Sequence, residues 1–146
     1  MALSRIRIPS LPALAAYAAD LAAALRPGDV VTLSGPLGVG KTALVKALAR
    51  SLGITDEVIS PTFVYQQTYR LPTDSSIRAL THLDLYRLTS DADVTALGLV
   101  TEDPTGVVVI EWPERAPTLA SRATLQLTWT FAPDGSRDLT SEWRRP

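Results

Sequence analysis

Residues 35–42 read Gly-Pro-Leu-Gly-Val-Gly-Lys-Thr and satisfy G-x-x-x-x-G-K-[ST] at every fixed position. The flanks are the ones this loop needs. Val30 to Leu33 is short, mostly apolar and largely β-branched, as a strand buried on both faces reads. An alanine/leucine run from about Lys41 to Leu52, stopped near Gly53, predicts a helix. Glycines let a backbone wrap closely round a phosphate and aim its N–H groups inward. The start of the following helix adds its positive dipole end. A plain glycine turn would explain the glycines but not Lys41, Thr42 and both flanks. Gly35, Pro36, Leu37, Gly38, Val39 and Gly40 are therefore expected to cradle a phosphate chain. Lys41 is expected to give the β/γ-phosphates a point charge, and the Thr42 hydroxyl to bind Mg²⁺. Of the 14 basic residues 12 are arginine, and one of the only two lysines stands at the motif position.

The remaining elements follow from periodicity and turn chemistry. Ser10 to Leu25 predicts a helix: Ser10 suits the cap, Pro12 the first turn, and Leu14, Tyr17, Leu21 and Leu25 fall on one face. Thr62–Leu71 and Ile77–Leu85 read as two strands joined by a turn at Pro72-Thr73-Asp74-Ser75, hence a hairpin. Ser90 opens a short helix that ends at Gly98. Val107–Ile110 is another apolar strand; Ala123–Phe131 alternates, turns at Asp134-Gly135 and returns over Ser136–Trp143. This order predicts an α/β protein, a P-loop NTPase-like sandwich whose mixed sheet has a parallel core and C-terminal antiparallel strands. No repeat or linker interrupts it, so residues 1–146 are expected to form one domain.

Composition narrows the chemistry. Without cysteine there is no disulfide, thiolate zinc site or cysteine nucleophile, and a single histidine, His82, excludes a multi-histidine metal site. The formal charge of −1 carries no basic excess for gripping nucleic acid directly. The longest alanine/leucine stretch, Leu11–Leu25, is broken by Pro12, Tyr17 and Asp20, too short and too weakly apolar to span a membrane. A cytoplasmic protein is expected. There is no asparagine, so the N-K-x-D motif that reads guanine cannot exist, and ATP is the expected nucleotide. Asp103-Pro104-Thr105-Gly106 has the D-x-x-G form but precedes a strand, and reads as a turn.

A second acidic group stands at the end of an apolar strand. Val107-Val108-Val109-Ile110-Glu111 delivers a carboxylate at its C-terminal end, where α/β sheets bind ligands, so Glu111 is expected to reach the metal beside Thr42. His82, Asp84 and Tyr86 alternate along another strand and would share one face. The ordered set G-x-L-G-x-G-K-T, Ser60-Pro61-Thr62-Phe63, His82-x-Asp84-x-Tyr86-Arg87-Leu88 and Val107-x-x-x-Glu111-Trp112-Pro113-Glu114 resembles the TsaE (YjeE) family of bacterial ATPases of tRNA threonylcarbamoyladenosine synthesis. The resemblance covers nearly the whole chain. It implies that residues 35–42 hold ATP, that Thr42 and Glu111 ligate Mg²⁺, and that Thr62 lies in a switch-like loop near the γ-phosphate. It further implies that Asp84 is the catalytic carboxylate and that Trp112 lies close to the nucleotide. Two positions depart from the family pattern: Pro36 replaces its usual acidic residue, and Leu14 its usual threonine.

The resemblance also implies partners. Two larger proteins, TsaD and TsaB, would make the modified adenosine, and this chain's ATP cycle would reset the complex, meeting tRNA only through them. A small-molecule kinase is the rival expectation. It needs an acceptor pocket and usually an arginine-rich lid, whereas Arg115 and Arg122 are the only basic residues between Arg87 and Arg137.

Overall fold

The computed structural model describes residues 2–145. Strand β1 (Ala2–Ile8) leads into helix α1 (Leu11–Ala24). Strand β2 (Val30–Ser34), the glycine loop and helix α2 (Lys41–Ser51) follow. Next come strands β3 (Gln66–Arg70) and β4 (Ala79–Asp84), helix α3 (Asp91–Ala96) and strand β5 (Val107–Glu111). A 3₁₀ turn over Pro113–Arg115, helix α4 (Pro117–Ala120) and strands β6 (Leu125–Phe131) and β7 (Arg137–Trp143) complete the order. All strands join one sheet in the order β1-β7-β6-β2-β5-β4-β3.

The four central strands β6, β2, β5 and β4 run parallel. Strand β5 is buried at all five positions, β4 at five of six and β2 at four of five, as strands covered on both faces are, whereas β6 alternates. Antiparallel strands close both edges: β3 against β4 on one side, β7 and then β1 beyond β6 on the other. The mixed sheet with a parallel core is the expected one. The antiparallel part is larger than expected, because β1 adds an N-terminal strand that pairs Ile8 with Arg137 and Leu3 with Glu142.

Side-chain alternation sends neighbouring residues to opposite layers. Leu80, Val107, Val109, Leu125 and Leu127 pack with α1 and α2, through Leu14, Leu21, Leu44, Val45 and Leu48. Leu83, Val108 and Ile110 point the other way, into a smaller cluster with Val94 of α3 and Leu119 of α4. Each fully buried aliphatic side chain contributes roughly 1.5–3 kcal/mol before its entropy cost. Ser10 caps α1 by accepting the Ala13 N–H at 3.3 Å, with Pro12 in the first turn. The buried face of α1 is Leu14, Ala18 and Leu21, while Tyr17 is only half-buried.

The glycine loop lies directly on β6. At Gly35, φ is +154°, and an added Cβ would sit 2.8 Å from Trp129 Cβ and 3.0 Å from its carbonyl oxygen. Only glycine allows that approach.

Candidate active site

Because β2, β5 and β4 are parallel neighbours, their C-terminal ends share one edge of the sheet, where α/β folds bind ligands. The glycine loop leaves the end of β2 and turns into α2 through Gly40, whose φ of +118° a side chain would strain. Leu44 donates the first helical N–H, to the Gly40 carbonyl at 3.0 Å; the N–H groups of Lys41, Thr42 and Ala43 precede it and have no intrahelical acceptor. Glu111 ends β5 and Asp84 ends β4, and the two are paired in register. Thr42, on the first turn of α2, sits over them. Its hydroxyl lies 3.1 Å from Glu111 Oε1 and 3.0 Å from Oε2. The structure thus brings together Lys41, Thr42, Asp84 and Glu111, whose positions span 70 residues of sequence.

Lys41 is almost fully buried. Its ammonium donates to the Gly35 carbonyl at 2.6 Å and lies 3.5 Å from the centroid of the Trp112 ring. Burial pushes its pKa down from the ordinary lysine value; the charges of Glu111, Glu114 and Asp84 oppose that shift in part. Trp112 adopts a left-handed backbone (φ 59°, ψ 49°), unusual for a bulky residue. That conformation turns the chain sharply after β5 and leaves the indole over Lys41, with the Tyr86 ring 4.9 Å away.

Asp84 is fixed from two sides. Its Oδ2 accepts from the Thr62 hydroxyl at 2.8 Å, and its Oδ1 from the Tyr86 N–H at 2.9 Å. Thr62 does not lie on a strand, as the reading of 62–71 had it. Residues 61–65 form a turn in which Tyr65 donates its N–H to Pro61 and has a φ of 67°. The Tyr65 carbonyl then accepts the Asp84 N–H at 3.0 Å, so the loop is pinned to β4 through backbone and side chain together. Phe63 and Val64 are left exposed, with Arg87 4.4 Å over the Phe63 ring, whereas Tyr65 and Trp112 pack against the smaller core. Tyr86 lies just past the end of β4, so it joins the site from a loop and not from the strand face shared by His82 and Asp84. His82 is fully buried, with Nε2 2.6 Å from Glu111 Oε2.

These groups enclose a cleft of about 330 Å³, lined by the glycine loop, Thr62, Asp84, Tyr86, Glu111 and Trp112. Ser60 also lines it and bonds to Thr62 at 2.8 Å. A second hollow of about 430 Å³ shares Gly38, Gly40 and Ala43 with the first and is walled by Ile8, Leu14, Val39 and Trp129. The donor set suits Mg²⁺ and a nucleotide triphosphate: hard hydroxyl and carboxylate oxygens at one point, free N–H groups and a buried ammonium beside it.

The sequence profile described as "Threonylcarbamoyl adenosine biosynthesis protein TsaE" matches residues 8–139. A Synechocystis sp. protein named tRNA threonylcarbamoyladenosine biosynthesis protein TsaE is 42% identical over 120 residues, covering 79% of this chain and 73% of that one. The Treponema pallidum protein of the same name is 39% identical over 117 residues, covering 80% and 83%. The crystal structure of Bacillus subtilis YdiB superposes with a TM-score of 0.70 at 31% identity, over 96% of this chain and 84% of the other.

Proposed function

The chain belongs to the TsaE family of threonylcarbamoyl adenosine biosynthesis proteins, and on that premise we propose that it is a Mg²⁺-dependent ATPase serving tRNA N6-threonylcarbamoyladenosine formation with TsaD and TsaB. The observation that carries the reading is the convergence of four groups at one edge of the sheet. The Thr42 hydroxyl sits within hydrogen-bond distance of Glu111, Asp84 is paired in register with Glu111, and the Lys41 ammonium lies in the loop beside them. In this reading Lys41 and the N–H groups from Gly35 to Thr42 hold the triphosphate, and Thr42 and Glu111 present oxygens to the metal. Mg²⁺ when bound neutralises charge on the β- and γ-phosphates. Asp84, held by Thr62 and Tyr86, orients the attacking water. Trp112 faces the phosphate side of the nucleotide, and the second hollow offers an apolar surface to its base.

The cleft is open, and hydrophobic side chains stand exposed in and beside the Thr62 loop: Phe63, Val64 and Tyr86. Water exclusion around the γ-phosphate is therefore incomplete in the isolated chain, which favours slow turnover alone and faster turnover under a partner. The near-neutral charge fits a subunit that meets tRNA through TsaD and TsaB. No helix among the described residues is long and apolar enough to cross a membrane, and we assign the chain to the cytoplasm as a single ATPase domain.

The test is calorimetric titration with ATP, with and without Mg²⁺, followed by phosphate-release kinetics with and without small hydroxyl acceptors. Mg²⁺-enhanced binding and phosphate release that needs no acceptor are expected. Stoichiometric transfer of phosphate to an added small molecule would replace this reading with a kinase.

A further inference from the structure

His82 is the only histidine of the chain, and it is fully buried on the α1/α2 face of β4. In register it pairs with Val109, two residues before Glu111 on the neighbouring strand, so its ring reaches diagonally to the Glu111 carboxylate. The contact is short: 2.6 Å from Nε2 to Oε2. The other ring nitrogen, Nδ1, is buried and has no hydrogen-bond partner among the described residues. Those two facts fix the tautomer. A neutral ring with its proton on Nδ1 would leave a buried donor without an acceptor and set the bare Nε2 lone pair against a carboxylate oxygen. With the proton on Nε2, the short contact becomes a charge-assisted hydrogen bond and only a lone pair goes unmatched.

We infer that His82 is a positioning residue: its Nε2–H donates to Glu111 Oε2 and holds that carboxylate turned toward Thr42, where the proposed metal is bound. The inference rests on the metal-side reading of Glu111. It assigns His82 no contact with nucleotide. Thr42 approaches both Glu111 oxygens at nearly equal distances, so Thr42 alone does not select one orientation. A partner of this kind typically changes metal affinity about 10- to 100-fold.

The geometry gives an asymmetric test. A glutamine places its amide nitrogen near the position of Nε2, an asparagine near that of Nδ1. The readout is the Mg²⁺ concentration that half-maximally enhances binding of a non-hydrolysable ATP analogue, measured by calorimetry. His82→Asn and His82→Leu are expected to raise it about 10- to 100-fold, with Mg²⁺-free affinity unchanged, and His82→Gln to restore it. In a Glu111→Gln background, His82→Asn is expected to add nothing. An unchanged midpoint in His82→Asn, an equal rise in His82→Gln, or additive effects in the double variant would each overturn the positioning role. The wild-type protein supplies a check that needs no substitution. With one imidazole in the chain, ¹⁵N NMR reads its tautomer directly, and a neutral ring with its proton on Nδ1 refutes the inference. A wild type whose nucleotide affinity ignores Mg²⁺ overturns the metal reading of the site; a responsive wild type whose Mg²⁺ midpoint is unchanged in His82→Asn overturns only the role given to His82.

Discussion

Asp84→Asn separates catalysis from everything else at this site. The change removes one negative charge and keeps the side chain's size. Both Asp84 oxygens are in use, by Thr62 at 2.8 Å and by the Tyr86 N–H at 2.9 Å. An asparagine can keep both partners. Its carbonyl oxygen accepts from Tyr86, its amide donates to the Thr62 oxygen, and the Thr62 proton passes to Ser60 Oγ, 2.8 Å away. Hydrogen bonds to charged groups contribute about 1.5–3 kcal/mol and neutral ones about 0.5–1.5 kcal/mol, so two exchanges cost roughly 2 kcal/mol. Relief of repulsion from Glu111, the register neighbour, offsets part of that. At about 2–4 °C per kcal/mol for a domain of this size, Tm falls by no more than about 4–8 °C and the protein stays folded. ATP affinity is expected to hold, because in the proposed reading the triphosphate is gripped by Lys41 and the loop. Turnover is expected to fall about 10²–10⁴-fold, the range for losing a positioned acid–base group, which is about 3–5 kcal/mol in the barrier. Single-turnover phosphate release gives the rate, calorimetry the affinity and thermal melting the stability. Turnover of the same order as wild type, or affinity lost by as many decades as turnover, would refute the catalytic role of Asp84.

Lys41→Ala should weaken ATP binding about 10- to 100-fold, since a charge-assisted contact contributes about 1.5–3 kcal/mol; near-wild-type affinity by calorimetry would count against the phosphate loop. Thr42→Val and Glu111→Gln should each lower affinity in Mg²⁺ and leave Mg²⁺-free affinity nearly unchanged; a variant that keeps the wild-type Mg²⁺ response has lost no metal ligand. The C-terminal segment supplies a pH prediction. Burial pushes the Asp29 carboxyl up, but hydrogen bonds from Arg145, the Arg26 N–H and Thr124, together with the Arg145 charge, outweigh it and hold the group below its ordinary value. A depressed carboxyl stabilises the fold above its unfolded pKa, about 3.9, and that stability drains as pH falls through the lower folded value. Asp29→Asn should therefore be less stable than wild type at neutral pH and lose less stability on acidification below about pH 4; parallel denaturation curves for the two proteins across that window would refute the linkage.

The loop from Gly35 to Thr42 was legible because its residues act through local backbone geometry, and the centre of the parallel core because β2 and β5 are mostly apolar and buried on both faces. The pairing of Thr42 with Glu111 was legible because strand ends and helix starts have fixed places in such a sheet. Strand β1 was not. Its residues Ser4, Arg5 and Arg7 read as polar, Leu3 and Ile6 remain exposed, and its partner strand lies some 130 positions away. The turn at 61–65 was hidden inside a strand-like run of aromatics, because the cause is the pinning of Thr62 and Tyr65 by Asp84, a tertiary contact. The two short helical turns over Pro113–Ala120 carry prolines at both starts and too few residues for a periodic signal. The left-handed backbone of Trp112 had no local sign, since nothing in the side chain favours it. His82 stood in a recognisable motif, yet its place against Glu111 depends on strand register, which sequence spacing alone does not set.

The central claim is that this chain's ATP cycle drives a partner-dependent tRNA modification. The most direct measurement is ATP turnover of the pure protein, then with saturating TsaB–TsaD and substrate tRNA, with threonylcarbamoyladenosine scored in the same reactions. Slow hydrolysis alone, acceleration by the partners, and modification that stops when the chain is omitted or replaced by Asp84→Asn are expected. Fast hydrolysis by the chain alone, unchanged by the partners and with modification indifferent to its omission, would contradict the account.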